Sequence, residues 1–367
     1  MAAGLSSPAR RRSPMYIIAH QISFLLTGVG STLGVQWLFY VGAASGTSFL
    51  VQLSLYIGMI MVGLLIPWML KSRQEAAAHL YQDTEKLREV AVEGPIRQKS
   101  VAKLAVLDIL ANSTVTIGFS MIGSGMYQVI YSSVVVWCAI LSYMFMGRLL
   151  AKMQWFAIFG TSMGLTLCAL ENMNQPASSS SASLTLGTAM TLCGTFFYAC
   201  AYVYADHLLS QNQPAPLPAR LCFYKGLYTT SLTLIWITFY TIPRIDKLIH
   251  IDSHVSLQTV LTRYALITAS NATHAWNYYE LLDNTGNVAT GILQALRAVL
   301  VYGLSHVWYC STDSAQCKYH AFTKPLPANR GTNNNTCRLH GQQRMRIHAT
   351  TWRLWMGRNK HPAYYEG

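Results

Sequence analysis

Long apolar runs separated by short polar stretches fill the chain from near its start to about position 310. Nine of them lie at roughly 15–41, 48–70, 102–122, 125–146, 150–170, 183–206, 218–242, 255–278 and 288–310. Each is near or above the ~18–20 residues that an α-helix needs to cross a bilayer. The pattern predicts an all-α polytopic membrane protein. The first run is too long for the apolar core of a signal peptide and is followed by further spans, so it reads as an uncleaved first helix. After Cys317 the pattern stops. Residues 318–367 have no apolar run and no helical period, and they are rich in Asn, Arg and His. Such a segment does not enter a bilayer.

Composition points the same way. Hydrophobic residues make up 52% of the chain and charged residues only 11%, against about 25% charged in a soluble domain. That leaves too little polar surface to cover a water-soluble globule. The net charge of +13 is concentrated in the tail, where nine Lys/Arg face one Glu. Most of the remaining basic residues sit in loops, where they set topology rather than bind nucleic acid. Arg10–Arg12, the 71–101 loop (Lys71, Arg73, Lys86, Arg88, Arg97, Lys99), and Arg148 with Lys152 fall on one face, read as cytosolic. The 171–183 loop has no Lys or Arg and falls on the lumenal or external face. The 243–254 loop, with Arg244 and Lys247, is an exception on that face. Within 71–101, "RQEAAAHLYQDTEKLREV" mixes charges at helical spacing and predicts a solvated surface helix.

The segment "IYSSVVVWCAILSYMFMGRLLAKMQW" (130–155) aligns without a gap to "ILQALRAVLVYGLSHVWYCSTDSAQC" (292–317). Both contain the fourth helix of a five-helix count. Five is odd, so a second copy enters the membrane inverted, a common transporter plan with its substrate site near the midplane. The expected organisation is a cytosolic N-terminus (1–14), a first repeat (15–170), a lumenal loop (171–182), a second repeat of four helices (183–317) and the basic tail (318–367). The tenth helix is missing or replaced. Nine crossings leave the tail on the far side, against the charge rule. Three readings fit: an altered reading frame or retained intron, an isoform lacking the last helix, or a ninth span that does not insert.

Residues 107–170 resemble the third-to-fifth helix block of the drug/metabolite transporter superfamily, closest to solute carrier family 35 (nucleotide-sugar-transporter relatives), F subgroup. The shared pattern is an Asp in the third helix, a Gln opening the fourth, a Gly-Arg turn and a Gln-Trp pair: Asp108, Gln128, Gly147–Arg148 and Gln154–Trp155. "TGVGSTLG" (27–34) resembles the first helix, and "ASNAT" with "GILQALRAVLVYGLS" the eighth and ninth. The resemblance covers about residues 16–317. It implies ten helices in two halves, alternating-access exchange of a small organic solute, and a Golgi, endosomal or lysosomal/vacuolar membrane. It departs at Tyr131, where the family often has an Arg, and this weakens anion binding through the first half.

Within the spans, Arg297 carries the sharpest signal. It lies about ten residues into its run, where a charge costs ~2.5–3.5 kcal/mol even on insertion scales. Either it faces a central cavity and attracts negative charge on the solute, or it forms a structural ion pair, with Asp108 as the candidate partner. Asp108 has Asn112 at i+4, on the same helix face. That face is read either as a solute or proton site or as internal packing. Gln128, Tyr131, Asn271, His274 and Gln294 are read as solute contacts or as interhelical hydrogen bonds worth ~0.6 kcal/mol each. Lys225 and Arg263 lie nearer helix ends, where long cationic side chains snorkel to the interface.

Glycines in "GVGSTLG" (28–34) and "GTSMG" (160–164) predict close helix packing. Cys138, Cys168, Cys193, Cys200 and Cys222 are read as small apolar residues without disulfides. The tail has a Cys317-x2-His320 and Cys337-x2-His340 pattern but no apolar core to fold around zinc. It also has a glycosylation sequon at Asn334. No phosphate loop and no convergent carboxylates are present, so neither an enzyme, a cofactor nor a metal is expected. Expected partners are a small-molecule solute, the lipid bilayer and, in one reading, a second copy in a homodimer, with no nucleic acid. The alternative function is a truncated, non-transporting membrane protein that acts through partner binding.

Overall fold

The computed structural model describes residues 13–80, 94–147, 155–156, 159–160, 163, 181–211, 216–305 and 307. Every regular element among them is a helix. In chain order these are α1 (Pro14–Tyr40), α2 (Leu50–Met61), α3 (Ile66–Leu80), α4 (Gln98–Tyr131), α5 (Val134–Met146), α6 (Ser181–Gln211), α7 (Pro218–Trp236), α8 (Ile245–Leu248) and α9 (Leu257–Ser305). A 3-10 turn, Val62–Leu65, joins α2 to α3. Two compact units divide at Gly303, and the helical bundle is the first.

Polarity is distributed inside out. On α1, Met15, Ile18, Ile22 and Leu26 are exposed, while His20, Phe24, Gly28, Ser31 and Val35 are buried. Leu227, Leu232, Leu234 and Ile235 of α7 face outward while Lys225, Thr229 and Thr233 face in. Water would penalise so large an apolar exterior, whereas lipid accepts it and drives polar groups to the interior. The protein is an all-α polytopic membrane protein.

Among the described residues, six segments are long and apolar enough to span a membrane: Pro14–Tyr40, Leu50–Ser72, Gln98–Ile122, Met126–Met146, Thr185–Ser210 and Leu257–Ser305. The last contains two expected spans, separated at Gly286, whose φ of 81° breaks the helix. Asp206 Oδ2 accepts the Asn287 backbone N–H at 3.1 Å and so caps the restarted helix. The expected 218–242 span is α7 with the turns that follow, less apolar because of Arg220, Lys225 and several threonines. Pro243 has no N–H to continue the helix, and a wide turn, Ile237–Thr241, absorbs the break. The solvated surface helix expected over 73–90 begins as a continuation of α3, where Lys71 and Glu75 form an exposed pair at 3.9 Å. Residues 81–93, Arg148, most of the expected 150–170 span including Lys152, the 171–180 loop, and the tail with its Cys/His pattern and sequon lie outside the described residues.

Helices α4 and α6 pack closely along their length. A Cβ on Gly194 would lie 2.6 Å from Val115 Cγ1 and 3.0 Å from the Ala111 carbonyl oxygen. Gly118 and Gly187 meet the opposite helix in the same way, as membrane helices without a hydrophobic drive between them require. On α1, Gly28 and Gly34 approach α9, whereas Gly30 has no neighbour within 4 Å. Gly160 likewise meets nothing within 4 Å among the described residues, and Gly164 lies outside them.

Candidate functional site

A cavity of about 190 Å³ opens between α1, α2, α4, α6, α7 and α9. A 150 Å³ cavity already admits benzene, so this space suits one ring-sized group at a time. Asp108, Asn112, Tyr131, Asn271, Gln294 and Arg297 all line it, as do His274 and Lys225. Gln128 does not. It is fully buried behind the wall, with its Nε2 donating to Thr32 Oγ1 at 3.5 Å.

One side of the cavity is cationic. Arg297 enters from the helix that restarts after Gly286 and is buried. One guanidinium nitrogen lies 3.3 Å from His274 Nε2, and the guanidinium carbon stands 5.6 Å from the Tyr131 ring centroid. Among the described residues, Arg297 Nε has no hydrogen-bond partner. His274 Nδ1 lies 3.0 Å from the Phe24 carbonyl oxygen, and its ring stacks on Phe24 at 4.3 Å. A carbonyl only accepts and a guanidinium only donates, so the proton sits on Nδ1, Nε2 accepts, and His274 is neutral. Gly28 makes room for this assembly: a Cβ there would lie 2.5 Å from Arg297 Cδ.

The other charged side is balanced. Asp108 Oδ1 forms an ion pair with Lys225 Nζ, and both side chains are buried. Asp108 Oδ2 accepts from Asn112 Nδ2 at 2.9 Å, and Asn112 Oδ1 accepts from the Tyr198 hydroxyl at 2.6 Å. This corrects two expectations. Asp108 pairs with Lys225 rather than Arg297, and Lys225 does not snorkel, because its ammonium turns inward to a carboxylate. The inward turn was not legible in the sequence, since only the fold brings α4 and α7 together. Arg263 lies 5.2 Å from the Trp37 ring, away from the cavity lining.

Tyrosines connect the two sides. The Tyr131 and Tyr202 hydroxyls are 2.8 Å apart, and Gln294 Nε2 reaches Tyr202 at 3.5 Å. Tyr127, Tyr131, Tyr198, Tyr202 and Tyr278 follow one another with ring centroids 5.0–5.6 Å apart. Sequence reasoning missed all but Tyr131. The signal was available, because Tyr127/Tyr131 and Tyr198/Tyr202 are i, i+4 pairs on single helix faces. The Tyr278 hydroxyl and Gln294 Oε1 are buried without a partner, as is Arg297 Nε. Three unsatisfied polar atoms on one cavity wall are uncommon in a native interior. Asn271, by contrast, donates its Nδ2 to the Leu55 carbonyl at 2.6 Å, which ties α9 to α2.

The profile of the family described as nucleotide-sugar transporter matches residues 40–242, more than half of the chain. The chain belongs to the nucleotide-sugar transporter family. Membership supports solute transport across a membrane by a multi-pass protein and a small-molecule solute as partner. The matched range holds Asp108, Asn112, Tyr131 and Lys225 but ends before Asn271, His274, Gln294 and Arg297. An uncharacterized protein of Schizosaccharomyces pombe is 24% identical over 142 residues, which are 38% of this chain and 42% of that relative. The match therefore spans less than half of that relative's length.

Proposed function

We propose that this family member carries a small organic solute bearing a negative group, by alternating access of two inverted halves, with Arg297 as the anion contact. The observation that carries the reading is Arg297 itself: buried, beside a neutral His274, with Nε unpartnered on the cavity wall. A charge held at membrane depth without a carboxylate partner is expensive, and an anionic solute removes that cost. The hydroxyls of Tyr131, Tyr202 and Tyr278 supply donors and acceptors for the body of the solute. The cavity is small, so a larger solute requires the halves to part. The finer reading places the chain in solute carrier family 35, F subgroup, near its member 6, in a Golgi, endosomal or lysosomal membrane with a cytosolic N-terminus.

Purified protein in vesicles tests this. Anionic metabolites are expected to stabilise the wild type against heat and to be taken up, and Arg297→Gln is expected to remove both effects while the protein is still made and folded. Uptake of a cationic solute alone, or an Arg297→Gln variant that transports anions normally, overturns the assignment.

A further inference from the structure

We propose that Asp108 is a proton-binding site coupled to the solute: the solute's anionic group takes Lys225 away from Asp108, and Asp108 then binds a proton at Oδ1. This rests on the solute being an anion, as proposed above, and adds a second contact for it and a second ligand, the proton.

Lys225 lines the same cavity as Arg297, so both cations face the same solute. Its ammonium has three N–H donors and no acceptor. Asp108 Oδ1 takes one of them, and the Tyr279 ring centroid lies 5.9 Å from Nζ. The two oxygens of Asp108 are held differently. Oδ2 accepts from Asn112 Nδ2 at 2.9 Å on the same helix, and Asn112 is fixed in turn by the Tyr198 hydroxyl of α6 at 2.6 Å. Oδ1 is held by Lys225 of α7. Losing Lys225 therefore leaves the carboxylate in position with one oxygen unmatched. Asp108 is only 3% exposed. A carboxylate so deeply buried does not stay charged without its counter-ion; it is neutralised by a proton. The proton goes to Oδ1, and the new O–H donates to the solute oxygen that has taken its place on Lys225.

Among the described residues, the other titratable or charged groups close enough to feel the charge of Asp108 are Tyr56 on α2, Tyr198 and Tyr202 on α6, Cys222 and Lys225 on α7, and Tyr279 on α9. The hydroxyls and the thiol are uncharged near pH 7. On the other wall, His274 is neutral beside Arg297 and is the rival proton acceptor. An experiment must therefore assign the proton to one of the two.

Calorimetric titration of the purified full chain, in two buffers of different ionisation enthalpy, counts the protons taken up on binding. The probes are UDP-glucose, GDP-mannose and a nucleoside 5′-sulfate, whose charges do not change near neutral pH. The complex holds more protons than the free protein, so affinity is expected to rise as pH falls, by up to about tenfold per unit, with up to about one proton bound per anion. Asp108→Asn is expected to bind the anion without proton uptake and with an affinity that pH does not change. In Lys225→Met, Asp108 has no counter-ion even before the anion arrives and is already protonated, so binding is weaker and again takes up no proton. Proton uptake that persists in Asp108→Asn assigns the proton elsewhere, to His274 first, and overturns the proposal. So does uptake in Lys225→Met equal to that of wild type. If neither variant folds, wild type decides alone: anion binding with no proton uptake and no pH dependence overturns coupling at Asp108 and leaves Arg297 standing as the anion contact. No binding of any probe to wild type sinks both readings. Binding and proton uptake that survive in Arg297→Gln sink the Arg297 contact and support Asp108.

Discussion

Gly28→Ala adds one methyl group against the arginine on which the functional reading turns. The new Cβ would lie 2.5 Å from Arg297 Cδ and 2.9 Å from His274 Cε1. His274 has little room to yield, since it is stacked on Phe24 at 4.3 Å and hydrogen-bonded to the Phe24 carbonyl at 3.0 Å. Arg297 must therefore withdraw by about 1 Å to reach an ordinary carbon contact of roughly 3.5 Å. Overpacking of this kind costs about 1–3 kcal/mol, set against a helix-propensity gain of up to about 1 kcal/mol for Gly→Ala. The displaced guanidinium also leaves its position beside His274. If about 1.4 kcal/mol of that strain falls on the bound geometry, anion affinity drops about tenfold. Gly30→Ala is the control, because no described residue lies within 4 Å of that position. Thermal unfolding in detergent, with and without an anionic probe, measures both effects. Equal stability and equal anion binding in the two variants would refute the seating of Arg297 against α1.

Two further changes test the supports of the site. Tyr198→Phe removes the donor to Asn112 Oδ1 and leaves a buried acceptor, so stability should fall by about 1–3 kcal/mol; an unchanged melting temperature counts against the Tyr198–Asn112–Asp108 chain. Asp206→Ala removes the cap at Asn287 and should cost about 1 kcal/mol in thermal unfolding, while Asp206→Asn, whose amide oxygen still accepts, should cost less; equal losses would show that the cap is not what Asp206 contributes.

Much of this was readable from the chain alone. Runs of apolar residues long enough to cross lipid dictate helices, because only a helix satisfies every backbone group within one segment there. The rarity of charge within those runs made Asp108 and Arg297 visible as candidates. A sequence states that such a residue is costly, not how the cost is met, since the partner lies on another helix. Only the tertiary structure decided that Asp108 on α4 meets Lys225 on α7, and that Arg297 meets His274 instead of a carboxylate. It also decided that Gln128, plausible by position, lies behind the cavity wall, since the neighbours of a helix face are not written in its own period. Local pattern determines which segments enter the membrane; the choice of contacts among them depends on close approach at residues such as Gly28 and Gly194, a property of pairs of helices.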